Sequence, residues 1–171
     1  TKVSGEGLKY VRDGAPISPA TIKQALDNSL SSLQTDYVDL YQLHWPNRGS
    51  YMFRQNWRFD PTSQNTTETE DHMLETLTYL NDLIREGKIR SIGLSNESCW
   101  GTMRWLLMAE KHNLPRMASI QNEYSLLCRL YDLDMAEMTH HEQVGLLSFS
   151  PLATGLLTGK YSADGQPPAG S

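Results

Sequence analysis

Cysteine is scarce in this 171-residue chain, where Cys99 and Cys128 are the only two. They lie far apart, without the paired spacing of a zinc site or a disulfide framework, and are read as two free thiols in a reducing cytoplasm. No metal site is expected. Apolar runs of membrane-spanning length are lacking, and so is a signal peptide, so the expectation is a soluble, cytoplasmic protein with no membrane partner. Positive charge is also in short supply. Fifteen Lys and Arg face twenty Asp and Glu, a net charge of −5, and no basic block exists to neutralise nucleic-acid phosphates. No nucleic-acid partner is expected. The chain shows no internal repeat and no G-x-G-x-x-G turn, the feature by which an open doubly wound sheet announces its nucleotide site.

What the chain does have is alternation. Apolar runs of strand length alternate with amphipathic runs of helix length, the pattern of parallel β/α units. "ATIKQALDNSLSSLQ" places Ile22, Ala25, Leu26, Ser29, Leu30 and Leu33 at helical spacing behind the helix-start pair "SP". "YVDLYQLH" reads as a strand, "DHMLETLTYLNDLIREGKI" as a helix stopped by Gly87, and "RSIGLSN" as the next strand. "ESCWGTMRWLLMAEKHNLP" is a third helix, followed by a strand "MASIQ", a brief helix "LDMAEMTHHEQ" and a strand "VGLLSFSP". "TSQNTTETE" is taken as a polar stretch inside a loop, and residues 153–171 as loop.

"TKV" at the start adds a further strand, which makes about four to five β/α units where a complete TIM (β/α)₈ barrel takes roughly 250 residues. The expected fold is therefore α/β. Residues 1–171 are read as a single domain, a truncated barrel whose N-terminal strands and C-terminal units lie outside it. In such a barrel the active face is built at the C-terminal ends of the strands. Lys2, His44, Ser95, Asn96, Gln121, Phe149 and Ser150 all stand there.

"TKV", "DLYQLHWP", "EGKIRSIGLSN", "IQNEYSLL" and "FSPLATGLLTGKY", in that order and spacing, resemble the aldo-keto reductases, most closely the bacterial Tas-like and potassium-channel β-subunit-like branch. The resemblance covers essentially the whole chain. It implies NAD(P)H-dependent reduction of a small-molecule carbonyl substrate, with an Asp, a Tyr, a Lys and a His around the hydride-transfer site. Lys2 matches the lysine and His44 the histidine; the aspartate and tyrosine precede the lysine in the family pattern, where this chain has only Thr1. Ser95, Asn96 and Gln121 match the residues that hold the nicotinamide carboxamide, and Phe149 the aromatic stacked on its ring. Ser150, Leu152 and Thr154 match the loop at the pyrophosphate. The basic residues for the adenosine 2′-phosphate fall beyond Ser171, so NADP(H) is expected by family habit and NAD(H) stays open.

Hydride addition builds negative charge on the carbonyl oxygen, which must be met by a proton donor and a preorganised hydrogen-bond donor. In the pattern the resemblance implies, Lys2 lowers the pKa of a tyrosine and His44 holds the substrate oxygen. Period-two alternation puts Leu40, Gln42 and His44 on the inner face of their strand and turns Tyr41 and Leu43 toward the helices. Tyr10 and Tyr51 fall in loops and Tyr37 at the foot of a strand, so none is a proton donor. The connection 45–71 far exceeds the usual βα loop of about 2–6 residues. Its aromatics Trp45, Tyr51 and Trp57, with Phe53 and Phe59, either wall a substrate pocket or pack on one another to hold the loop. Two functions stay open, an oxidoreductase and a cofactor-binding regulatory subunit like the channel β subunits. The sequence leaves the oligomeric state undetermined.

Overall fold

Among the described residues, five short strands carry the apolar runs, and each lies beside its neighbour in sequence. They are β1 (Lys2–Val3), β2 (Val38–Leu43), β3 (Ile89–Ser95), β4 (Met117–Glu123) and β5 (Gly145–Phe149). All pairs are parallel, in the order β1-β2-β3-β4-β5. The order never reverses, which is the arrangement of a barrel wall; a doubly wound sheet turns back at a switch point. The structure, a computed structural model, describes residues 1–161. The rest of the expected C-terminal loop lies outside the described residues. Within them, 153–158 form a kinked 3₁₀ segment rather than plain loop.

The strands are bridged by α1 (Pro19–Leu33), α2 (Thr66–Arg85), α3 (Cys99–Lys111) and α4 (Met135–His141). Ser18 starts α1 with a reciprocal cap: its Oγ accepts from the Thr21 amide while its own amide donates to Thr21 Oγ1 at 2.9 Å. Ile22 and Leu26 are buried, but α1 ends at the left-handed Gln34 before any element covers Leu33, which is 60% exposed. The apolar stripe expected to include Leu33 stops short of it.

The helix expected from Asp71 begins earlier, at Thr66, so "TSQNTTETE" is only partly loop and the connection out of β2 spans 44–65. Thr and Asn are weak helix formers, yet Asn65 Oδ1 accepts from the Thr67 and Glu68 amides while its Nδ2 donates to Glu68 Oε1 at 2.9 Å. Those otherwise orphaned donors decide where the helix starts. Its end is the expected one, with Gly87 at φ 76° in the left-handed region that glycine enters without strain.

Parallel partners share a face, so the register sorts the side chains. Val3, Leu43 and Leu94 stand opposite one another, and together with Tyr41, Ile92 and Ile120 they form the buried layer under the helices. Tyr41 Oη reaches the Ile22 carbonyl of α1 at 3.4 Å, as its parity requires. The other face carries Lys2, Gln42, Gly93 and Ser119 in one row and Ser95, Gln121 and Leu147 in the next. That inner face is lined with polar and small residues.

Candidate active site

At the C-terminal ends of the strands a continuous hydrogen-bonded row crosses four of them. Lys2 Nζ of β1 donates to Ser95 Oγ of β3 at 3.1 Å, and that hydroxyl donates to the Gln121 carbonyl of β4 at 2.9 Å. Asn96 Nδ2 donates both to Ser95 Oγ at 3.1 Å and to the carbonyl of His44, just beyond β2, at 2.9 Å. Asn96 sits in the left-handed region at φ 52°, one step past the end of β3, and this brings its side chain back to the row although strand parity alone would turn it away. Its Oδ1 is buried with no hydrogen-bond partner among the described residues. An unpartnered buried acceptor is costly, and an amide N–H from a ligand would satisfy it.

The His44 ring makes no hydrogen bond among the described residues. It rests against Trp45, centroids 4.6 Å apart, and burial first, then the charge of Lys2, lowers its pKa from 6.5 to about 4. His44 is thus neutral at pH 7. Burial also lowers the pKa of Lys2 below that of an ordinary lysine. Gln121, half-buried, makes no side-chain hydrogen bond among the described residues. Phe149 stands one row beyond, at the end of β5 opposite Glu123, and its carbonyl accepts from the Tyr124 amide at 3.3 Å. Ser150 and Thr154 follow with left-handed backbone, Leu152 between them being exposed.

The aromatics of the 44–65 connection divide. Trp45 and Phe53, in edge contact at 6.0 Å, line an open cleft of about 1200 Å³ that also includes His44 and Ser95. Tyr51 lines a separate cavity of about 280 Å³ beside Asn122 and Cys128, and its ring packs on Phe59. Trp57 lines neither; the Gln55–Arg58 turn carries it outward, 92% exposed. Rings thus pack on one another at Trp45–Phe53 and Tyr51–Phe59, and Trp45 also lines the cleft beside His44, while Trp57 does neither.

Gln42, Arg48 and Glu97 escaped sequence reasoning. Gln42 Nε2 donates to the Leu94 carbonyl at 3.1 Å, a role its inner-face parity could have suggested. Arg48 and Glu97 form a buried ion pair between residues far apart in sequence, which no local pattern announces. Among the described residues no group of His, Cys, Asp and Glu could hold a metal ion, and no helix is long and apolar enough to cross a membrane.

The profile of the Aldo/keto reductase family matches residues 1–170. The chain belongs to the aldo/keto reductase family. It is 43% identical over 177 residues to Protein tas of Escherichia coli (strain K12), an alignment covering 100% of this chain and 49% of that protein. An aldo-keto reductase of Babesia bovis is 39% identical, covering 94% of this chain and 60% of the relative. Among solved structures, a glycerol dehydrogenase from Gluconobacter oxydans superposes with a TM-score of 0.65 at 27% identity, over 90% of this chain and 39% of that one. The chain therefore spans about half the length of Protein tas. These relatives agree with the Tas-like resemblance, and the five-stranded wall is part of a TIM barrel.

A pH dependence follows from His44. Its folded pKa lies below its unfolded value, so between pH 6.5 and about 4 the unfolded chain takes up a proton that the folded chain refuses, and stability falls as pH falls through that window. His72 shifts in the same direction, chiefly through burial. Allowing for screening of the half-buried ring, the His44 share at pH 5 is about 1 kcal/mol, or about 2–4 °C in Tm. The drop in Tm between pH 7.5 and 5 should be smaller by that amount in His44→Asn. Equal drops in the two proteins would show that the ring is not desolvated.

Proposed function

We propose that the protein reduces aldehydes or ketones to alcohols by hydride transfer from NADPH, and that residues 1–171 are one domain of a barrel completed by strands outside them. The single observation that carries this reading is the hydrogen-bonded row from Lys2 through Ser95 to Gln121 and Asn96, with a free acceptor on Asn96. The nicotinamide, when bound, supplies the hydride. Asn96 Oδ1 and the Gln121 carboxamide would hold its planar amide, and rigid strand ends keep these two groups in place. Phe149 would offer a ring face to the nicotinamide, and the turn of Ser150, Leu152 and Thr154 would meet the phosphates of the dinucleotide. The preference for NADP(H) over NAD(H) rests on family habit.

Neutral His44 donates a ring N–H to the carbonyl oxygen of the substrate, in the cleft walled by Trp45. A neutral imidazole orients the substrate without adding a second cation beside Lys2. The two thiols and the acidic net charge fit a cytoplasmic enzyme acting on small molecules.

Asn96→Ala and Gln121→Ala test the seat. Each should raise the Kd for NADPH and cut turnover of 4-nitrobenzaldehyde by roughly 100-fold, the loss expected when a reacting group is misplaced by about 1 Å. Unchanged values in both variants would remove these residues from the site. NADPH binding by the unaltered protein without turnover of any carbonyl would favour the regulatory-subunit reading instead.

A further inference from the structure

Directly after the seat residue Asn96 comes Glu97, whose side chain is 2% exposed and lies against the 10% exposed side chain of Arg48. The pair is two-pronged: Arg48 Nη1 donates to Glu97 Oε2 at 3.0 Å and Nη2 to Oε1. The Ser98 amide donates to Glu97 Oε1 at 2.7 Å, and Trp105 Nε1 to Oε2 at 3.4 Å. Arg48 sits in the long connection that follows His44, and Gln64 Nε2 donates to its carbonyl at 2.8 Å. A second tie lies close by, where Ser50 Oγ donates to the Asn96 carbonyl at 3.1 Å. The substrate-side loop is thus fastened to the Asn96–Glu97 peptide. Gly101 in α3 makes room for this, since a methyl group there would run into both the Arg48 guanidinium and the Glu97 carboxylate.

The same peptide is held independently from β4. The Asn96 amide donates to the Gln121 carbonyl at 3.0 Å, and Asn122 Nδ2 to the Glu97 carbonyl at 3.0 Å. Loss of the Arg48 side chain would therefore loosen the loop, which keeps only the Ser50 bond to the Asn96 carbonyl at this point, and leave the seat. We propose that the Arg48–Glu97 pair is a positioning latch that sets the substrate-side loop beyond it, and with it the Phe53 ring that meets Trp45 in the cleft wall, so that Arg48, itself in the lining of that cleft, governs productive binding of the carbonyl substrate by aiming the loop. The inference rests on the reductase reading above.

The test uses the full protein with Arg48→Lys, Arg48→Met and the double variant Arg48→Met/Glu97→Gln. Removing one partner of a buried pair leaves an uncompensated charge and destabilises, whereas neutralising both relieves that charge. The double variant should recover most of the Tm lost in Arg48→Met, yet keep a KM for 4-nitrobenzaldehyde raised by about 10-fold, because the fork that aims the loop is gone. Its Kd for NADPH should stay within about 3-fold of the original, since the β4 ties remain. Arg48→Lys, a point charge without the fork, should fall between. Hydrogen exchange supplies a readout apart from activity: amides of 49–58 should exchange faster in the double variant while those of β3 and β4 do not.

Recovery of both Tm and KM in the double variant would reduce the pair to a structural role and overturn the proposal. A Kd for NADPH that rises in step with KM would overturn it too, by assigning the pair to the seat. If Arg48→Met does not fold, Arg48→Lys and the double variant still decide. An unchanged Kd in Asn96→Ala would instead count against the seat, and the loop's exchange would still report on the latch.

Discussion

Replacing Lys2 by Met is expected to lower kcat for carbonyl reduction by about 10²–10⁴-fold, the range over which a positioned acid–base group acts. Binding of NADPH should change by less than about 3-fold, because Ser95 Oγ keeps its bonds to Asn96 Nδ2 and the Gln121 carbonyl when the ammonium is lost. One further readout needs no turnover. The charge of Lys2 is the second cause, after burial, of the depressed His44 pKa. Lys2→Met should raise that pKa above about 4 and leave it below 6.5, since desolvation remains. An NMR titration of the His44 ring reads the shift directly. A kcat within a few-fold of the original, with His44 still titrating near 4, would take Lys2 out of the reaction.

Parity is why so much of this site was legible. A strand side chain faces in or out by its position alone, so the quoted strands placed Lys2, His44, Ser95, Gln121 and Phe149 at one end of the sheet before any contact was known. The register then set Ser95 against Gln121 and Gln121 against Leu147. Asn96 obeys a different rule. Its side chain joins the row only because the backbone turns left-handed there, which a residue such as Asn tolerates but a pattern does not announce.

Tertiary compensation hid the rest. "TSQNTTETE" is rich in residues that favour turns, and its helical half forms because Asn65 and Glu68 satisfy the free donors of the first turn. An Asn-x-x-Glu spacing at 65–68 is the local signal that marks this helix start. Arg48 and Glu97 had no local signal at all: a buried ion pair depends on two segments meeting, and each residue alone reads as an ordinary surface charge. Trp57 erred in the other direction, since an aromatic in an active-face loop suggests a pocket wall, yet this one is carried outward by its own turn.

On the proposed reading, residues 1–171 by themselves should oxidise no NADPH with 4-nitrobenzaldehyde, whereas a barrel completed by further strands should do so. The first reason is packing: β5 carries Leu147 42% exposed on the inner face, and a parallel sheet edge with uncovered apolar side chains is prone to association and poor stability. The second is the proton. Tyr41 is turned to α1, with its pKa pushed far up by burial. Tyr124 is bonded to Asp132 and Tyr131 to Thr139. Tyr10 is exposed, Tyr37 carries the Arg90 guanidinium 4.0 Å from its ring, and Tyr51 faces the smaller cavity. None of these stands beside Lys2. Burial and the Lys2 charge lower the His44 pKa to about 4, so at pH 7 its ring is the neutral imidazole and a weak source of the proton. Robust activity of the isolated segment would overturn this and make His44, in its neutral form, the group that delivers the proton.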